Sequence, residues 1–180
     1  MSSVVISGDT SGAITLSAPA VSGTNTATLP AATGTVMVSG NMPAFSASSS
    51  SGTSVPASTF TKVALQTENF DTNNCFDNST NYRFTPNIAG YYQINACVGL
   101  GTAAASSLVV IYKNGSQYLY GTVGGFTVSA INTQSSASAL IYFNGSTDYI
   151  EMYAYQSSGS TQTTQTGVTT QFSGSLVRSA

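Results

Sequence analysis

The stretch Phe84-Thr85-Pro86-Asn87-Ile88-Ala89-Gly90-Tyr91-Tyr92-Gln93-Ile94-Asn95-Ala96-Cys97-Val98-Gly99-Leu100 decides the fold. It has three parts. Tyr82 and Phe84 end a short strand. Pro86, Asn87 and Gly90 make a turn, because proline fixes its own φ and glycine accepts φ > 0. Then Tyr92, Ile94, Ala96, Val98 and Leu100 alternate with Tyr91, Gln93, Asn95, Cys97 and Gly99. Period-2 alternation of this length predicts a strand whose sheet buries one face in its own core.

The same signals continue on both sides. Upstream, residues 43–47 read as a first strand, residues 48–54 as a flexible Ser/Gly spacer, residues 60–67 as the next strand and residues 68–81 as a polar loop. Downstream, residues 107–113 form a strand ended by Asn114-Gly115, the strongest short hairpin signal. Residues 117–123 return, and residues 126–131 and 138–143 follow. Asn144-Gly145 makes a second turn. Residues 148–155 set Tyr149, Glu151, Tyr153 and Tyr155 against Ile150, Met152 and Ala154. Residues 156–167 are a Ser/Thr/Gln loop, and residues 168–177 are the last strand. No segment has helical periodicity. About ten strands in this order predict an antiparallel sandwich rather than a small barrel.

Residues 1–42 have a different texture. Short β-branched runs at 4–6, 13–16, 26–29 and 35–38 are separated by Ser/Gly/Asn turn clusters. Each run has too few apolar side chains to build a core within one chain. The expected organisation is a β-arm over residues 1–42, ordered by its neighbours, and a knob over residues 43–180.

Composition narrows the function. Only 6% of the residues are charged, the net charge is −2, and histidine and tryptophan are absent. Lys62, Arg83, Lys113 and Arg178 are scattered, which argues against nucleic-acid binding, since phosphate contacts need clustered cations. Low charge also removes the repulsion that keeps monomers apart, so an obligate oligomer is expected. No apolar run approaches the ~18 residues of a membrane span. Met1 is followed by polar serines rather than a basic flank and an apolar segment. The expectation is synthesis in a cytoplasm without export, whereas the composition looks extracellular; release by lysis, inside or upon a virus particle, would reconcile the two. Cys75 and Cys97 can form at most one disulfide, and cytoplasmic synthesis favours two reduced thiols.

The residues offer little chemistry. Without histidine, a nucleophile would need Lys, Asp or Glu as its base. The carboxylates are Asp9, Glu68, Asp71, Asp77, Asp148 and Glu151. Glu68, Asp71 and Asp77 share one loop, where a calcium site is conceivable, but their spacing is not that of a calcium loop. Solvated loop acids are the simpler reading. Glu151 alternates with apolar neighbours, which predicts a salt-bridged or rim position. Nothing supports a glycosidase pair. Each of the ten tyrosines reads first as core or interface rather than as a sugar-stacking platform. No catalytic residue, metal ligand or cofactor is expected, and the chain reads as a non-enzyme.

The order of motifs in residues 43–180 resembles the C1q-like globular head, a relative of the tumour-necrosis-factor jelly roll. The resemblance rests on Pro43-Ala44-Phe45-Ser46-Ala47; on Tyr82, Phe84, Pro86, Ala89, Gly90 and Tyr92; on Lys113-Asn114-Gly115; loosely on Gly145, Asp148 and Ile150; and on Phe172, Ser173, Gly174 and Leu176. Residues 8–16 and 28–37 resemble stretches of bacteriophage fibre and virion proteins. The two resemblances imply an all-β jelly-roll knob after an N-terminal β-arm, assembled as a homotrimer. They imply a structural, non-enzymatic virion protein, either a short fibre or fibre tip or a capsid decoration protein. Its partners would be other virion proteins and a host surface glycan or receptor. The alternative is a secreted cellular C1q-like or lectin-like binding module.

Overall fold

The computed structural model describes residues 3–21, 23–28, 31–101, 106–124 and 133–180. The strand expected at residues 126–131 lies outside the described residues. The chain divides into two compact units, residues 1–34 and 35–180.

The first unit holds one antiparallel hairpin, β1 (Ser3–Ser7) and β2 (Ala13–Ser17). Its register pairs Val4 with Leu16 and Ile6 with Ile14 on one face, and Val5 with Thr15 on the other. The Gly8 N–H donates to the Gly12 carbonyl (2.9 Å) and closes the loop. All ten strand residues are exposed. Among the described residues the aliphatic pairs have no second layer within the unit, as the poverty of apolar residues requires. The runs at 26–29 and 35–38 were expected as strands. Thr26–Thr28 and Thr35–Val38 are irregular instead, because among the described residues they find no partner to complete a backbone ladder.

The second unit is a two-sheet sandwich. Its strands are β3 (Ala44–Ser48), β4 (Ser54–Val55), β5 (Thr61–Lys62), β6 (Thr67–Asp71), β7 (Phe76–Asp77), β8 (Arg83–Phe84), β9 (Gly90–Leu100), β10 (Ser107–Lys113), β11 (Ser116–Gly124), β12 (Thr133–Phe143), β13 (Ile150–Gln156), β14 (Gln162–Thr163) and β15 (Gln171–Ser179). One sheet has the order β12-β9-β15-β3-β6. The other has the order β11-β10-β13-β8-β7, with β5 also paired to β13. A small β14-β4 ribbon lies beside them. All pairings are antiparallel and most neighbours are distant in sequence, which is the jelly-roll pattern.

β9 runs through the sheet as its alternation predicts. Tyr92, Ile94, Ala96, Val98 and Leu100 are buried, whereas Tyr91 and Asn95 are exposed. Gly90 is required by close approach: a Cβ there would collide with the Arg178 carbonyl of β15. Aromatic rings join the two sheets. Phe45 of β3 stacks on Phe84 of β8 at 4.2 Å and on Phe76 of β7 at 5.0 Å. Phe172 meets Phe45 edge-on, and Tyr92 and Phe143 pack around Phe84. The buried Tyr92 hydroxyl donates to the Ile88 carbonyl (2.8 Å), so its burial leaves no orphan.

The two turns lock together. Asn114 and Gly115 both have positive φ (52° and 78°), as a two-residue hairpin demands. The Asn114 side chain accepts from the Tyr149 N–H and donates to the Asp148 carboxylate. Asn144 Oδ1 accepts from the N–H groups of Ser146, Thr147 and Asp148.

Several expectations need correction. The run 60–67 is not one strand, because the chain changes sheets there: β5 belongs to one and β6 to the other. Val63 and Leu65 still point inward, but the Ala64 N–H bonds the Thr53 hydroxyl rather than a ladder. The loop expected at 68–81 contains most of β6 and all of β7. Residues 48–54 are no flexible spacer. Ser49 is buried and bonded to the backbones of Gly167 and Thr170, and Gln66 accepts from the Ser50 and Ser51 N–H groups. The loop 156–167 is organised by buried Gln156, which donates to the Val55 and Ser160 carbonyls. The last strand starts at Gln171 rather than 168, after a 3-10 turn at Gly167–Thr169 that leaves Val168 exposed.

Phe45→Ala should lower stability by about 3–5 kcal/mol, the usual cost of emptying a large aromatic site in a core. Phe70→Ala on the exposed side of β6 should stay within about 0.5 kcal/mol. Urea denaturation of both variants checks the contrast.

Candidate assembly and binding surfaces

Each sheet turns one face inward, so the surfaces open to other molecules are the outward faces and the loops. The outward face of the five-stranded sheet follows from register. Cross-strand partners share a face. The rows are therefore Leu140–Gln93–Ser175–Ala44, Ser138–Asn95–Ser173–Ser46 and Ser136–Cys97–Gln171–Ser48, with Tyr142–Tyr91–Arg178 at one end. Arg178 is the one charged side chain in these rows among the described residues.

Short polar side chains bond across the rows. Gln93 donates to Ser138 (2.8 Å), Ser138 to Asn95 (2.9 Å), and Asn69 of β6 to Ser46 (3.1 Å). The Tyr91 and Tyr142 rings pack at 5.4 Å, and Leu140 and Val177 are exposed. A shallow depression of about 420 Å³ lies among Asn95, Cys97, Thr122, Ser136, Ser138 and Gln171. Thr122 comes from β11, where its hydroxyl and the Ser136 backbone bond each other. The sequence predicted the alternation that builds this face on β9. It did not reveal that four strands combine into one nearly uncharged surface. The missed signal is the absence of Asp, Glu and Lys from the outward positions of all four.

The carboxylates do not gather. Asp9 lies in the loop of the first unit. Glu68 stands on exposed β6. Asp71 accepts from the Asn73 and Phe76 N–H groups. Asp77 accepts from the N–H groups of Ser79, Thr80 and Asn81 and from the Asn81 amide. These bonds, the Thr80 N–H first, hold the Asp77 carboxyl well below the usual carboxylate range. The two aspartates thus shape turns. Among the described residues, no group of three or more His, Cys, Asp or Glu side chains could hold a metal ion.

Asp148 pairs with Lys113 at 3.2 Å, and its carboxyl is lowered by the Asn114 amide first and then by Lys113. Glu151 is buried and paired with Lys62 at 2.7 Å, so it is salt-bridged under cover rather than at a rim. Cys75 is buried and Cys97 half-buried, and both are free thiols raised by burial. They bond different carbonyls, of Asn73 and Thr169.

No known family model matches the chain. No curated protein matches it by sequence. Solved structures do share the fold. Murine APRIL at pH 5.0 superposes with a TM-score of 0.59 at 9% identity, over 76% of this chain and 99% of APRIL. The Eiger TNF of S. frugiperda gives 0.57 at 8% identity, over 77% and 93%. The PRD1 vertex protein P5 gives 0.52 at 17% identity, over 76% and 73%. The second unit is therefore a jelly roll of the TNF/C1q type, as the motif order implied.

The Asp77 turn gives a pH signature. A carboxyl depressed in the folded state stabilises above its unfolded pKa, near 4, and that stability disappears as pH falls toward the folded value. Wild-type protein should be more stable than Asp77→Asn at pH 7. The gap should shrink progressively from about pH 4 downward. Thermal melts of both proteins between pH 7 and pH 2 measure it.

Proposed function

We propose that this chain is a non-enzymatic structural protein of a bacteriophage virion, a trimeric surface appendage that contacts the host. The observation that carries the assembly part is the outward face of the five-stranded sheet. Identical subunits meeting at a threefold axis bring the same rows close together. A face of Ser, Asn and Gln ladders with a Tyr91–Leu140–Tyr142 end tolerates this, because Arg178, at the end of the rows, is the one charge they carry among the described residues. Charge depletion with aromatic anchors is also the composition of interface cores.

The virion part is supported by the fibre-like residues 8–16 and 28–37 and by the likeness of the knob to a vertex protein. The hairpin in residues 1–34 exposes Val4, Ile6, Ile14 and Leu16. Docked on a neighbouring virion protein or on sister arms, it would bury them, while the knob faces outward. Short fibre tip and capsid decoration protein are the two placements this reading allows. The likeness to APRIL and Eiger favours a second reading, a secreted cellular binding module. Immunogold labelling of particles separates the two.

Light scattering of purified protein should give three times the 18.4 kDa chain mass. Ser138→Glu, at the centre of the proposed interface, should yield monomers, since like charges brought together at an interface cost several kcal/mol. A wild-type monomer at micromolar concentration would overturn the trimer. Protein lacking residues 1–34 should remain trimeric but be absent from particles.

A further inference from the structure

The outward face of the six-stranded sheet collects aromatic rings that belong to no core. Tyr112 of β10 stacks on Tyr153 of β13 at 3.8 Å. Phe60 packs against Tyr155 at 4.9 Å, Tyr120 at 6.1 Å and Tyr112 at 6.5 Å. Register explains the gathering. Val110 faces Tyr120 on one side and Tyr153 on the other, and Leu108 faces Tyr155. Val110 alternates with the core residues Val109 and Ile111, so it points outward, yet it is fully buried. The rings cover it.

A bulge between Ile111 and Tyr112 shifts the register and sets Gln117 opposite Tyr112. The Gln117 amide then donates to the Tyr112 hydroxyl (3.1 Å) and accepts from the Tyr120 hydroxyl (2.6 Å). Two of the rings are thus fixed in place before any ligand arrives. The charges beside them are matched. Lys62 pairs with Glu151, and Arg83, stacked over Tyr149, lies in register between Glu151 and Asp77. The surface is aromatic, ordered, rich in neutral hydrogen-bonding groups and balanced in charge.

We propose that this face is a binding platform for an uncharged glycan, with Phe60, Tyr112, Tyr120 and Tyr155 stacking on sugar rings and Gln117 and the tyrosine hydroxyls bonding sugar hydroxyls. A pyranose presents a C–H face bordered by hydroxyls, which matches aromatic faces bordered by amide and phenol groups. Lys62 is held by a carboxylate and Arg83 lies over the Tyr149 ring with Glu151 and Asp77 as register partners, so the face carries no net positive charge for a sialylated or sulfated ligand. An apolar peptide would offer nothing to the second Gln117 N–H and the Tyr112 O–H, the donors that the Gln117–Tyr112 and Gln117–Tyr120 bonds leave over. The inference deepens the host-contact part of the proposed function. It rests on the five-stranded face being the one closed in the trimer, which leaves this one open. Three copies on one particle component add avidity to a weak single site.

The test is an array of neutral hexose, deoxyhexose and N-acetylhexosamine oligosaccharides beside sialylated and sulfated ones, probed with the full chain. At least one neutral glycan should bind. Tyr120→Ala, in a half-exposed ring, should weaken that binding about tenfold, whereas Tyr120→Phe, which keeps the ring, should lose less. Tyr112→Ala should act like Tyr120→Ala. Melting curves confirm that each variant is folded. Binding to no neutral glycan, to charged glycans only, or equally by wild type and both alanine variants overturns the platform. So does capture of an apolar peptide on the same residues. Light scattering on the same samples reads the trimer separately, so loss of the platform and loss of the assembly reading give different results.

Discussion

The ring of Phe45 lies flat against Phe84, and those two residues sit on opposite sheets. The rest of the knob depends on that contact. Phe76 extends the stack, Phe172 closes it edge-on, and Tyr92 and Phe143 wrap Phe84. Burying a side chain of this size contributes roughly 1.5–3 kcal/mol, and well-placed ring pairs add about 0.5–1.5 kcal/mol. Few other strong forces are available to a chain with so little charge. Its two ion pairs among the described residues, Lys62–Glu151 and Lys113–Asp148, tie neighbouring strands and turns rather than the two layers.

Much of this was legible in the sequence. Alternation from Tyr91 to Leu100 gave the long central strand and its buried face. Asn114-Gly115 gave a hairpin at the right residues. What stayed hidden has a common physical cause: hydroxyl and amide side chains replacing backbone ladder bonds. Thr53, Gln66 and Gln156 each hold a segment that looked like low-complexity loop. The same cause split the run 60–67, where the chain leaves one sheet for the other. At Thr26–Thr28 and Thr35–Val38 the error ran the other way, because β-branched residues without a partner strand do not make a strand.

The surfaces were less legible than the core. Core positions announce themselves by apolar periodicity within one strand. A surface is assembled across strands, and its pattern appears only when register is known. Tyr91 and Tyr142 are neighbours through an eleven-residue pairing of β12 with β9. Phe60, Tyr112, Tyr120 and Tyr155 meet from distant parts of the chain. The reading of tyrosines as core or interface fits Tyr92, whose ring is buried and whose hydroxyl is satisfied. That the outward rings gather in two places, Tyr91 with Tyr142 and Phe60 with Tyr112, Tyr120 and Tyr155, appears only with the register.

The position of β15 has a consequence for biosynthesis. This strand, from Gln171 to Ser179, lies between β9 and β3 in the middle of its sheet. Until the ribosome has delivered it, β9 lacks one neighbour and β3 has nothing to join but β6. Phe172, a wall of the central stack, arrives with it. The knob therefore cannot close until these residues have been made, and it closes by long-range pairing of residues 171–179 with residues 44–48 and 90–97. A chain truncated by a premature stop keeps an open, apolar slot in the sheet. Such a fragment, unpaired at that slot, is open to proteolysis.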